Sequence, residues 1–233
     1  MNQPKNPLKD AFLKVNERIR SAEQCYGRTP DSVQLLAVSK TFSADYLRYA
    51  AELGQQAFGE NYLQEGLEKQ SLLADLALSW HFIGPLQSNK SRAVAENFSW
   101  IHSVDRLKLA RRLSEQRPKK LAPLNVCLQV NVSGEASKSG VAPDEVQALA
   151  ASVVELPGLR LRGLMALPAV SHEFDQQRRA FAEVRGLYQT LIDAGFCLDT
   201  LSMGMSGDLE AAIAEGATMV RVGSALFGAR NYK

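Results

Sequence analysis

The sequence predicts an α/β protein, a (β/α)8 TIM barrel with an extra N-terminal helix. Eight short strand-like runs are spread along the 233 residues, and each but the last is followed by a helical pattern. Strands that alternate with helices build parallel βαβ units. Eight such units in a chain of this length fit a barrel closed on itself. A doubly wound open sheet is the alternative, but it usually needs fewer strands. No linker, low-complexity tract or close internal repeat divides the chain, so residues 1–233 are expected to form one domain.

The elements follow in order. In Pro7–Cys25 the apolar residues Leu8, Phe12, Val15, Ile19 and Ala22 recur at spacings of three and four, which predicts a helix. Gly27, Thr29 and Pro30 break it. Val33–Lys40 is a short apolar run that fits a strand buried on both faces. Ser43 is the expected cap of a helix running to about Leu53. Strands are then expected at Ala57–Glu60, Trp80–Gly84, Trp100–Val104, Asn125–Val132, Leu159–Leu167, Thr200–Met205 and Met219–Phe227. The intervening helices are expected at about Tyr62–Leu73, Asn89–Asn97, Asp105 (as cap) to Gln116, Pro143–Leu156, Glu173–Ala194 and Leu209–Glu215.

Composition narrows the function classes. At this length folding buries roughly 70–75% of the unfolded surface, enough for one sizeable core. The net charge is +2 with 22% charged residues and no block of like charge, so no nucleic-acid footprint is evident. The N-terminus lacks an apolar signal core, and no apolar stretch is long enough to span a bilayer. Cys25, Cys127 and Cys197 are far apart, without disulfide or metal-ligand spacing, and two of them sit in apolar surroundings that suit a buried thiol. The expectation is a cytoplasmic protein without metal, disulfide or membrane contact.

Residues at the C-terminal strand ends carry the chemistry of such a barrel. Alternation places Leu36, Val38 and Lys40 on one face, so Lys40 closes an otherwise apolar stripe. It either begins the solvated loop or its amine has a partner. Two glycine–hydroxyl segments, Met203–Gly207 with Ser206 and the pair Gly223–Ser224, are either ordinary turns or a phosphate cradle. Asp208 beside them disfavours an anion unless neighbouring amides offset it. Arg221 lies between Val220 and Val222, so it points inward when they point outward. It meets either a ligand or a structural carboxylate such as Glu60. A lysine able to form an imine, a phosphate cradle and an interior arginine share one simple ligand, pyridoxal 5′-phosphate. Spacing alone reaches a phosphorylated ligand held through an imine, and no further.

Seven segments, in order along nearly the whole chain, resemble the pyridoxal phosphate homeostasis proteins, single-domain relatives of the fold-type III barrel of alanine racemase. They are LLAVSK (Leu35–Lys40), FGENYLQE (Phe58–Glu65), WHFIGPLQSNK (Trp80–Lys90), NVSGEASKSG (Asn131–Gly140), GLMA (Gly163–Ala166), LSMGMSGDLEAAI (Leu201–Ile213) and RVGSALFGAR (Arg221–Arg230). Gly207 stands where the family usually has Ser or Asp, and Ser224 where Thr is also common. The resemblance implies a Schiff base on Lys40, Asn61 beside the ring or its hydroxyl, and Arg221 at the pyridine nitrogen. Ser206, Gly223 and Ser224 would hold the phosphate. His81 and Met165 would line the pocket, Lys138 would lie near its mouth, and Lys90 and His102 would stand at the surface or behind the site. It implies intracellular homeostasis of the cofactor without assured catalytic residues, with apo-enzymes as possible recipients and amino acids as possible ligands. A monomer is expected over an obligate dimer, though the sequence leaves the oligomeric state open. An amino-acid racemase is the alternative. That reaction needs a second base opposite Lys40, and the sequence, ending at Lys233 after the eighth strand, shows no second domain to bring one.

Overall fold

Parallel pairing runs without interruption from β1 to β8 and back to β1, so the sheet closes. The structure is a computed structural model that describes residues 5–133 and 139–228. The strands are β1 (Gln34–Val38), β2 (Ala57–Glu60), β3 (Ser79–Phe82), β4 (Trp100–Val104), β5 (Leu124–Val130), β6 (Leu159–Ala166), β7 (Thr200–Ser202) and β8 (Met219–Val222). The helices are α1 (Lys5–Cys25), α2 (Ala44–Glu52), α3 (Leu63–Leu72), α4 (Ser91–Asn97), α5 (Leu107–Gln116), α6 (Val146–Val154), α7 (Phe174–Asp193), α8 (Leu209–Ala214) and α9 (Ser224–Phe227). Single 3-10 turns precede α4 and α6. No described helix is long and apolar enough to cross a membrane.

Most of the apolar core lies between the sheet and the helices. Outward residues such as Ala37, Phe58, Phe82, Ile101, Leu128, Leu164 and Val220 belong to one continuous cluster with the helix faces. The apolar cluster inside the barrel is small: Leu36, Ala57 and Met219, with Ile83 against them. Helix α1 docks through the predicted stripe, for Leu8, Phe12, Val15, Ile19 and Ala22 are all buried. Each larger side chain in it contributes about 1.5–3 kcal/mol by leaving water. Phe12 meets Phe227 of α9 edge to face at 6.0 Å, and Phe227 packs on Phe42 at 5.0 Å.

Those contacts overturn one expectation. The last strand stops at Val222, and Ser224–Phe227 is a helical turn. Gly223 leaves the extended conformation, which turns Leu226 and Phe227 under α1 instead of along the sheet. Strand β1 likewise ends two residues before Lys40. Asp105 does not cap α5. Arg106 occupies that position, and the Asp105 carboxylate pairs with the Arg106 guanidinium instead. All three cysteines are free thiols, but only Cys127 is buried, where desolvation pushes its thiol up to about 12.

Strands β6 and β7 approach closely where the β5–β6 register shifts, between Val126 and Cys127. Gly163 sits there with φ +154°, and a Cβ on it would overlap the carbonyl oxygen of Thr200. Gly163→Ala should therefore destabilise the fold by about 1–3 kcal/mol through overpacking. Urea unfolding of the two proteins checks this.

Candidate functional site

A cavity of about 310 Å³ opens at the C-terminal ends of the strands. Lys40, Asn61, Met165, Ser206, Arg221, Gly223 and Ser224 all line it. They come from the ends of β1, β2, β6, β7 and β8 and the turns that follow, so closing the sheet is what brings them together. His81 is not among the lining residues. It is 1% exposed and lies deeper in the barrel. Lys138 lies outside the described residues. Tyr62 is 57% exposed and borders a neighbouring hollow instead of this cavity. Lys90 is exposed and borders that same hollow.

The two glycine–hydroxyl segments meet. Ser206 Oγ accepts from the Ser224 hydroxyl at 3.2 Å and from the Ala225 N–H at 3.3 Å. Gly223 packs so closely on β1 that a Cβ there would stand 3.1 Å from the Val38 carbonyl oxygen. Asp208 does not aim at this cradle, since its Oδ1 accepts the Met205 N–H at 2.5 Å. The loop is also tied from outside. Arg18 of α1 donates to the Ser206 carbonyl at 3.1 Å and forms a two-pronged pair with Glu210 at 2.7 and 2.8 Å. The sequence pattern of α1 carries no sign of that role.

Arg221 points inward, as its flanking valines require. Its Nη1 donates to Ser202 Oγ at 2.8 Å and its Nη2 to the Ala166 carbonyl at 2.9 Å. No described carboxylate pairs with it. Glu60 is turned to the outer side of β2 with Phe58, and there takes Lys69 Nζ at 2.7 Å and the Ser39 hydroxyl at 2.7 Å. The expected Arg221–Glu60 pair therefore does not form. Burial lowers Arg221 to about 10, which leaves it charged at neutral pH. A guanidinium has five N–H donors, so it can still donate to an acceptor in the cavity.

Below Arg221 runs a polar chain that sequence reading missed. Ser202 Oγ lies 2.9 Å from His102 Nδ1, His102 Nε2 lies 3.0 Å from His81 Nδ1, and His81 Nε2 lies 3.0 Å from Ser79 Oγ. His102 is therefore a buried central link and not a surface group. Arg221 can only donate, so Ser202 accepts from it. With its second lone pair Ser202 either gives its own proton to His102 Nδ1 or accepts one from it. The first choice makes His102 donate from Nε2 to His81 Nδ1 and His81 from Nε2 to Ser79, and the second reverses each of these bonds. Both imidazoles are neutral. Burial holds His81 down at about 3, and burial, with the unfavourable proximity of His81 and the Arg221 charge, holds His102 well below its ordinary value. Alternation around Trp80 and Phe82 already turned His81 inward. The link between them needed the β3–β4 register, which sets His81 against Trp100 with stacked rings 5.1 Å apart.

Asn61 supplies the remaining polar feature. Its Oδ1 is buried and accepts no hydrogen bond. A second hollow of about 430 Å³ adjoins the cavity and shares Asn61, Ile83, Leu167 and Met205 with it.

The fold and this site define a barrel of the alanine racemase N-terminal domain kind, and the profile of that family matches residues 14–231. The chain belongs to the pyridoxal phosphate homeostasis protein family. It is 65% identical to the pyridoxal phosphate homeostasis protein of Pseudomonas aeruginosa over 225 residues, which is 97% of this chain and 96% of that one. An unknown protein from Bifidobacterium adolescentis superposes with a TM-score of 0.91 at 36% identity, covering 97% of this chain and 98% of that one. The PipY protein of Synechococcus elongatus, solved with PLP bound, superposes at 0.81 and 40% identity, covering 92% of this chain and all 100% of that one.

The neutral histidines make stability depend on pH. Unfolded, each imidazole binds a proton near its ordinary value of 6.5, whereas folded His81 does so only near about 3. This contribution is therefore complete above about pH 6.5 and is lost as the pH falls toward 3. Each such histidine costs about 1.4 kcal/mol per pH unit below that point. In urea titrations at pH 7.5 and 5.5, His81→Asn should shrink the difference between the two pH values by about that amount.

Proposed function

We propose that this protein binds pyridoxal 5′-phosphate at Lys40 and serves as a carrier in homeostasis of the cofactor, without useful turnover of amino acids. One observation carries the reading: a lysine, an inward arginine, an unpartnered buried amide oxygen and a two-serine cradle line one cavity. That set fits the cofactor group by group. When bound, pyridoxal 5′-phosphate supplies an aldehyde that condenses with an amine and a pyridine ring that withdraws electrons. The Lys40 amine would meet the aldehyde. Asn61 Oδ1 would accept from the ring hydroxyl, which supplies its missing donor. Arg221 would donate to the ring nitrogen, and because a guanidinium does not give up its proton the nitrogen would stay unprotonated and withdraw electrons weakly. Ser206, Ser224 and the Ala225 N–H would turn from one another to the phosphate.

The relatives support the same reading, through the name of the Pseudomonas aeruginosa protein and the PLP in the PipY structure. Proton traffic supports the carrier over a racemase. Among the described residues lining the cavity, Lys40 is the one candidate for a general base, since Arg221 stays charged. The adjoining hollow leaves room for an amino acid beside the cofactor. We read the carrier as a cytoplasmic monomer whose recipients are apo-enzymes.

Purified protein loaded with pyridoxal 5′-phosphate should be yellow, and borohydride should fix the label on the Lys40 peptide. Labelling that survives Lys40→Ala at full yield would place the anchor elsewhere. With alanine or serine in deuterated water, α-proton exchange should be negligible while an apo-enzyme gains activity from the loaded protein. Rapid exchange with loss of chirality, abolished by Lys40→Ala, would establish a racemase.

Ser206→Ala and Ser224→Ala should each weaken retention of the cofactor while leaving the fold intact. A hydrogen bond to a charged group contributes about 1.5–3 kcal/mol, or about ten- to a hundred-fold in affinity. Pyridoxal without phosphate should bind more weakly than the ester and lose nothing further in either variant.

A further inference from the structure

Lys40 occupies the second position of a four-residue turn, Ser39 to Phe42, closed by the Phe42 N–H donating to the Ser39 carbonyl at 3.1 Å. Thr41 holds the third position with φ +71°. A positive φ there is the mark of a type II turn, where glycine or asparagine ordinarily stands. A β-branched residue in that region is strained and needs support from its surroundings.

The support comes from one charged cluster on α3 and β2. Two peptide planes flank the Lys40 Cα, and each is held. Lys69 Nζ donates to the Ser39 carbonyl at 2.7 Å, which holds the plane before Lys40. The Thr41 N–H donates to Glu65 Oε1 at 2.5 Å, which holds the plane after it. Lys69 and Glu65 stand one helical turn apart and are joined at 2.6 Å. Lys69 spends its remaining donor on Glu60 Oε1, which also takes the Ser39 hydroxyl. Lys69 is only 4% exposed, a burial lysine rarely shows unless it is paired.

Type I and type II turns differ chiefly by a flip of the middle peptide. Glu65 accepts the N–H of that very peptide. Losing the acceptor frees the flip and loosens the turn that carries the Lys40 side chain. We propose that Lys69, Glu65 and Glu60 are positioning residues for Lys40: they lock the strained turn so that its amine is presented to the cavity. The inference rests on the reading of Lys40 as the residue that meets the cofactor aldehyde. A purely structural cluster would instead only pin α3 to β2.

The two roles separate in ligands that differ at one group. Pyridoxal 5′-phosphate has the aldehyde, and pyridoxine 5′-phosphate has the same ring and phosphate without it. Glu65→Ala is the first variant, because the Glu65 side chain is 26% exposed and its loss should be tolerated by the fold. It should weaken pyridoxal 5′-phosphate at least ten-fold and pyridoxine 5′-phosphate less than two-fold. Amide exchange at Thr41 in the ligand-free protein should rise at least ten-fold. Adding Thr41→Gly, which accepts positive φ without strain, should recover most of the lost affinity. Lys69→Met should follow the same pattern wherever it folds, and the Glu65 result stands without it. Equal weakening of both ligands, no weakening, or no rescue by glycine would overturn the positioning role. Borohydride labelling of the unmutated protein away from Lys40 would instead remove the functional reading and this inference with it. The two failures are thus told apart by where the label lies.

Discussion

A guanidinium inside the barrel organises what surrounds it. Arg221 is 4% exposed, and among the described residues its hydrogen-bond acceptors are neutral oxygens, those of Ser202 and Ala166. A buried charge is tolerated when its donors are satisfied, and these two acceptors begin to satisfy them. Burial holds His102 neutral, the Arg221 charge adds to this, and Ser202 links Arg221 to the chain that runs through His102 and His81 to Ser79. The apolar cluster that shares the barrel interior with Arg221 is small, Leu36, Ala57 and Met219 with Ile83 against them. Arg221 also lines the cavity, where its remaining donors are available to an acceptor.

A second charge system lies on the other side of the sheet. Glu60 and Lys69 are buried between β2 and α3, apart from Arg221. Burial pushes the Glu60 carboxyl up, which Lys69 and the Ser39 hydroxyl oppose. Separation by a β-sheet lets one barrel keep a cation in its interior and an ion pair in its outer layer without cross-pairing. The alternation of Phe58 and Glu60 outward against Ala57 and Gly59 inward achieves this within four residues. Helix α1 adds a third link, because Arg18 ties an element outside the eightfold repeat to the loop that carries Ser206.

Much was legible from local pattern. The bounds of β2 and β4 match the expected runs to the residue, and the stripe of α1 is buried as its spacing requires. Arg221 could be turned inward from Val220 and Val222 alone. Periodicity reports such facts because alternation and the helical repeat are properties of neighbouring residues. It failed at Met219–Phe227, where Gly223 and the pull of Leu226 and Phe227 toward α1 end the strand. It failed also at Lys40, read as a strand residue although the chain already turns there.

The sequence by itself determined the barrel, the inward and outward faces of its strands, and the types of residue at the strand ends. Tertiary structure decided the partners. Glu60 took Lys69 and not Arg221, and His102 became a central link through Ser202, a residue 100 positions away. It also placed a threonine with positive φ next to Lys40, and supplied that threonine with the Glu65 carboxylate 24 residues on. The reason is physical: a side chain's face follows from its own segment, but a buried charge or imidazole is satisfied only by groups that the closed sheet and its helix layer bring within hydrogen-bond reach.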